Sequence, residues 1–144
     1  MKLSYTYAPS YIPEKKYRIF ALLIDFAILG IIFIPISLFV DPRGDQSPLK
    51  ISLYLLTWII LFPVCEGIKG FTIGKKIMKL KVVQLDFTQV SLSNAIIRHL
   101  FDIIDFQLFG LIGLMIAANN KYNRRLGDLI GMTIVVKADE ELPE

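Results

Sequence analysis

The chain has 144 residues, of which 54% are hydrophobic, and its mean hydropathy is +0.56; ordinary globular chains are about 45–50% apolar. That excess excludes an ordinary soluble domain and leaves one small membrane domain, which needs no large water-excluding core because lipid already removes its apolar surface from water. The net charge of +3, from 16 Lys and Arg against 13 acids, is too small an excess to indicate nucleic acid, and its placement beside apolar runs points to lipid headgroups and topology.

Residues 1–16 are polar and aromatic and read as a juxtamembrane arm ending in Lys15-Lys16. A first membrane helix is expected over about 17–40, because Ile19 to Val40 is apolar except for Asp25, Pro35 and Ser37. At about 1.5 Å per residue that run spans roughly 33 Å, enough for a bilayer. Its Leu, Ile, Phe and Val residues favour insertion by roughly 0.3–0.6 kcal/mol each against about 3 kcal/mol for one Asp, so insertion wins. No small-residue cleavage site follows, so the segment reads as a retained anchor.

A Pro-, Gly- and Asp-rich turn at 41–48 leads to a second helix over about 49–68. Lys50 can snorkel at its start, Pro63 is expected to kink it, and Glu66 lies near its far end. Cys65 is the only cysteine, so no intrachain disulfide can form, and it reads as a small hydrophobe in a helix.

Residues 69–81 carry Lys69, Lys75, Lys76, Lys79 and Lys81 without an acid, which places the loop in the cytoplasm. From about 80 to 92 the pattern turns β-branched and alternating, and a similar stretch closes the domain at 132–137. These are expected to be short cytoplasmic strands that pair, packed on the membrane domain because a lone pair is marginal.

The segment 93–118 places Arg98, His99, Asp102 and Asp105 before an apolar run, Leu108 to Ala118, of only about 17 Å as helix. Lys121, Arg124 and Arg125 follow at once, and a simple third crossing would export them. A broken or re-entrant segment with both ends cytoplasmic is therefore expected, then a cytoplasmic turn and strand over 119–137. Residues 138–144 read as an acidic tail. The expected fold class is an all-α integral membrane protein: two transmembrane helices, a third broken or re-entrant helical segment and a small cytoplasmic β-strand patch within a domain covering 17–137.

The charges at membrane depth are the candidate site. Asp25 needs protein, water or a partner beside it, since an ionised carboxylate in lipid costs several kcal/mol. Arg18 lies seven residues earlier on the same helical stripe, about 10.5 Å away, too far for a close pair without other residues. Asp128, Asp102 or Glu66 are its expected partners.

In a helix, Arg98, Asp102 and Asp105 share a face. It is either a wet interfacial side or part of a polar core, and His99, pointing away from that stripe, reads as an interfacial residue with a proton carrier as the alternative. Arg124-Arg125-Leu-Gly-Asp128 is a basic turn that either latches the loop to the membrane domain or brings Asp128 to Arg18 or Asp25. Phe71-Thr-Ile-Gly-Lys-Lys76 lacks the spacing of a phosphate loop. With no nucleophile–base pair, metal cluster or cofactor loop in the sequence, neither enzymatic activity nor a cofactor or metal is expected.

Arg18 with Asp25, Gly-Phe-Thr-Ile-Gly-Lys-Lys followed by Leu-Lys-Val-Val at 70–83, Ile-Ile-Arg at 96–98 and Arg-Arg-Leu-Gly-Asp-Leu-Ile-Gly-Met-Thr-Ile-Val-Val at 124–136 together resemble the RDD family of membrane proteins. The resemblance covers about 16–136. It implies that Arg18, Asp25 and Asp128 are the arginine and two aspartates of the family's name, and that ion transport, including cation/proton exchange, is a candidate activity.

On that basis the expected function is monovalent cation/proton antiport. Asp25 would carry the exchanging charge, Arg18 would set its pKa, and Asp128 with Asp102 or Asp105 would form the cytoplasmic entrance. The alternative is a non-catalytic accessory subunit of another membrane protein. Two spans and a partial third are few for a monomeric pathway, so the expected partners are the bilayer and either further copies of the chain or another integral membrane protein. The expected location is the cell membrane, multi-pass, with both termini cytoplasmic.

Overall fold

The first apolar run forms one helix, α1 (Lys15–Val40), with Pro35 inside it. A computed structural model describes the chain over residues 9–40, 47–107 and 122–139, with backbone alone for 102–107. The second run starts as α2 (Pro48–Ile59). Ser47 caps it, its hydroxyl accepting the Lys50 N–H at 3.4 Å, and Pro48 occupies the first turn, where a missing N–H is harmless.

Pro63 cannot donate to the helix ladder, and around it the helix widens into one π turn, Ile60–Val64, before resuming as α3 (Cys65–Lys69). Gly70 ends it at φ +78, its N–H bonded to the Glu66 carbonyl at 2.8 Å. The expected kink is thus a π turn in a helix of 22 residues, Pro48–Lys69. Both this helix and α1 are long and apolar enough to cross a membrane.

A short helix, α4 (Ile73–Ile77), precedes strand β1 (Leu80–Gln84). A longer one, α5 (Leu92–Gln107), follows it, and α6 (Leu126–Ile130) leads into β2 (Thr133–Lys137). The strands pair antiparallel, Leu80 opposite Lys137 and Gln84 opposite Thr133. After β1 the chain turns back at Asp86-Phe87. The Asp86 carboxylate accepts the Thr88 N–H at 3.1 Å and hydroxyl at 2.6 Å, while Phe87 takes the left-handed conformation at φ +65.

A two-stranded pair needs support, and this one has it on both faces. Leu80, Val82 and Val135 pack with Ala21 of α1 and Ala95 of α5. Val83, Ile134 and Val136 pack under Tyr11, Ile12 and Tyr122. The alternation along each strand thus welds the sheet to the base of α1 on one side and to the N-terminal arm on the other.

The helices are inverted relative to a water-soluble bundle. The buried stripe of α1 is Ala21, Asp25 and Leu29, while Ile19, Phe20, Leu23, Ile31, Ile34, Leu38 and Phe39 face outward. On α5, Ala95, Arg98 and His99 are buried and Leu92, Ile96, Ile97 and Leu100 are exposed. A soluble amphipathic helix buries the apolar face and wets the charged one. The wet interfacial face considered for Arg98 is therefore corrected: its guanidinium lies inside, and so does the His99 ring. The apolar run Leu108 to Ala118 lies outside the described residues, as do the side chains of Asp102 and Asp105, residues 1–8 of the arm and residues 140–144 of the tail.

Candidate functional site

Where the β-sheet meets the membrane-length helices, two groups of buried polar side chains form. The first surrounds Asp25, 7% exposed on α1. Its Oδ2 accepts the Thr72 hydroxyl at 2.6 Å and its Oδ1 accepts the Gly74 N–H at 2.7 Å. Thr72 is the cap of α4, its Oγ1 also taking the Lys75 N–H at 3.4 Å, so one aspartate and one threonine satisfy the open N–H groups at the start of that helix. Glycine at 74 is dictated by contact: a Cβ there would sit 2.1 Å from the Ala21 carbonyl oxygen and 2.9 Å from Asp25 Oδ1.

The second group is a chain of alternating charges running across five elements. Arg18 of α1 donates from Nη2 to Asp128 Oδ2 of α6 at 2.6 Å and also bonds the Asn123 carbonyl. Asp128 Oδ1 faces Arg98 Nε of α5 at 3.0 Å, and Arg98 Nη1 faces Glu66 Oε1 of α3 at 3.0 Å. Glu66 also pairs through Oε2 with Lys75 of α4, and its Oε1 lies 3.3 Å from His99 Nε2. Glu66 is 0% exposed and Asp128 1% exposed, so each buried carboxylate depends on its two cationic partners to offset the cost of its burial.

Local geometry fixes Asp128 further. It sits three residues into the start of α6 and accepts the Arg125 N–H at 3.0 Å, a capping arrangement at the helix entrance. Burial disfavours its charged form more than any other single influence. Arg18, Arg98 and the Arg125 N–H together outweigh it and hold the carboxyl well below the usual carboxylate range. Arg124, expected in an exposed basic turn, is half-buried and donates to the Thr133 carbonyl at 3.1 Å and the Asp128 carbonyl at 3.2 Å.

Of the expected site residues, Arg18, Arg98 and Asp128 meet in one network, and Asp25 lies beside it on separate partners. Arg18 does not contact Asp25: it is committed to Asp128, so the role given to Arg18 of setting the Asp25 charge is corrected. Arg98 pairs with Glu66 and Asp128. The alternative local pairing with Asp102 or Asp105 concerns side chains outside the described residues.

Sequence reasoning left Lys75, Thr72 and Gly74 out of the site, placed His99 mainly at the interface, and named Glu66 only as a possible partner of Arg18, whereas Glu66 pairs with Arg98 and Lys75. Glu66 carried the same signal as Asp25, an acid in an otherwise apolar run, and its place near the helix end disguised it. Phe71-Thr-Ile-Gly-Lys-Lys76 was weighed only as a phosphate loop, and nothing in the chain named Asp25 as the partner of Thr72 and Gly74. Among the described residues no group of His, Cys, Asp and Glu has the arrangement to hold a metal ion.

The elements that carry this network, from the arm before α1 to the start of β2, coincide with one known sequence family. The family described as RDD family matches residues 13–132. Uncharacterized protein YckC of Bacillus subtilis (strain 168) is 32% identical over 132 residues, 87% of this chain and 86% of the relative. No solved structure matches the chain significantly. With Asp25 and Asp128 buried and Arg18 partly buried against Asp128 at the base of the membrane-length helices, and the match running through all of them, the chain belongs to the RDD family.

Proposed function

We propose that this protein crosses the cell membrane, with both termini and the lysine-rich 69–81 segment on the cytoplasmic side, and exchanges protons for monovalent cations through Asp25. One observation carries the reading. Glu66 and Asp128 are each held by fixed cations, whereas the described contacts of Asp25 are two neutral donors, the Thr72 hydroxyl and the Gly74 N–H.

A buried carboxylate in a membrane-length helix is costly without countercharge, and an exchangeable proton or monovalent cation supplies it. Both contacts tolerate the exchange. The Gly74 N–H bonds Oδ1 in either state, and the Thr72 hydroxyl can rotate from donor to acceptor when Oδ2 carries a proton. Two membrane-length helices enclose little path by themselves, so the exchanging unit is a homo-oligomer in this reading. The outward apolar faces of α1 and α2 are the surfaces available to lipid and to the other copies.

The test is flux in proteoliposomes. Wild-type protein is expected to move a monovalent cation against a pH gradient, and Asp25→Asn to abolish that movement while keeping its thermal transition, because the amide keeps the shape and cannot change charge. Wild-type vesicles without cation-dependent flux, or undiminished flux in Asp25→Asn, would overturn the reading.

A second reading, a non-catalytic accessory subunit of another membrane protein, draws on the Gly74 contact. Backbone touching backbone between α4 and α1 suits a rigid tie better than a site that must open. Isolation of the native complex separates the two: a stoichiometric unrelated membrane protein favours the subunit, and a homo-oligomer with flux favours exchange.

A further inference from the structure

We propose that His99 is a proton-binding residue whose protonation competes with Arg98 for Glu66 and so transmits pH along the buried chain of ion pairs. The assignment does not rest on exchange at Asp25. His99 is the single histidine of the chain, and histidine is the side chain whose ordinary titration falls between about pH 5 and 8. Its ring is buried, 3% exposed, with Nε2 at 3.3 Å from Glu66 Oε1. Arg98 Nη1 reaches the same oxygen at 3.0 Å.

The ring is held in place by aromatic walls. Trp58 stands edge-on at 6.1 Å and 85°, and Phe62 at 5.6 Å and 69°. Phe62 lies in the π turn around Pro63, and π turns recur at functional sites because they re-aim side chains within a helix. Here the turn precedes Glu66 by one helical step, so the same stretch of chain that walls the imidazole also carries its carboxylate.

The charged groups around the ring come from every element packed there. Among the described side chains they are Glu66 from α3, Lys75 from α4 through Glu66, Arg98 from α5 itself, and then Asp128 of α6 and Arg18 of α1 through Arg98. Protonation takes the ring from neutral to singly positive beside Glu66 Oε1, and no other covalent bond changes. The new imidazolium strengthens its own hold on Oε1 and repels Arg98, shifting that guanidinium toward Asp128. A proton at one end of the chain is thereby felt at Arg18 on the other.

Trp58 is the only tryptophan, so it reports on the ring beside it. An imidazolium quenches indole emission by accepting an electron from the excited ring, and neutral imidazole does so far less. In detergent-solubilised full-length protein, Trp58 emission is expected to fall along a one-proton curve as pH goes from about 8 to 5, and to stay flat in His99→Gln. Asp25→Asn is expected to keep the curve, which separates this site from exchange at Asp25. A flat wild-type profile, or a curve that persists in His99→Gln, overturns the proposal. Should His99→Gln fail to fold, the ring C–H resonance of the single histidine in wild-type protein decides. A chemical shift that moves across this range supports the assignment, and one that does not move overturns it.

Discussion

Asp25 on α1 rests on a hydroxyl and a backbone N–H, while Asp128 on α6 and Glu66 on α3 rest on guanidinium and ammonium groups. All three carboxylates are buried within the same base of the molecule. The difference is one of reversibility. An ion pair shared between helices holds its members charged and orders the helices around them, whereas neutral donors accept either protonation state. Tying and exchanging are thus divided between neighbouring groups, and the comparison can be broken from either side.

The largest effect should come from Arg98, which faces both Asp128 and Glu66. Arg98→Met is expected to leave Glu66 and Asp128 short of a cation and to lower stability by roughly 3–5 kcal/mol, read as a large fall in the thermal transition in detergent. Asp25→Asn breaks no ion pair among the described contacts and should cost about 1 kcal/mol, one altered hydrogen bond. If the two variants melt alike, the distinction between the groups fails.

Gly74→Ala addresses the Asp25 side through sterics. A methyl group at 2.1 Å from the Ala21 carbonyl must push α4 away from α1 and disturb the Asp25 contacts. The expected loss is roughly 1–3 kcal/mol, the range for overpacking, with a parallel loss of cation flux. Full flux in Gly74→Ala would mean that the α1–α4 contact is not part of the exchanging unit.

The smallest effect is the pH dependence carried by Asp128 near neutrality. Its folded-state carboxyl is held below the ordinary range, so its contribution is fully present above the unfolded value of about 4 and is lost as pH falls below that toward the folded value. Between pH 7 and 5 it should therefore be flat, and below about pH 4 wild-type stability should decline. Asp128→Asn, destabilised throughout, should lack that component of the acid decline. An equal acid slope in both proteins would remove Asp128 from the account.

Much of the architecture was legible in one dimension. Apolar runs long enough to cross a bilayer show in composition and length, and the alternating stretches near 80–84 and 133–137 read as strands because a strand needs only a period of two. Asp25 stood out because a charge inside an apolar run has one environment it must find. The tertiary structure decided the partners. Arg18 and Asp25, neighbours on one stripe, diverge to residues 110 and 49 positions away, Asp128 and Gly74. The sequence left Arg98 open between a wet face and a polar core and read His99 mainly as interfacial, because charge on a helix ordinarily faces water, yet the fold turns both inward and leaves Ile96, Ile97 and Leu100 outside. Burial of an apolar residue is a property of the residue and of its period, which a sequence carries. Burial of a charge depends on whether an opposite charge arrives from a distant segment, and that is decided by how α3, α5 and α6 are brought together.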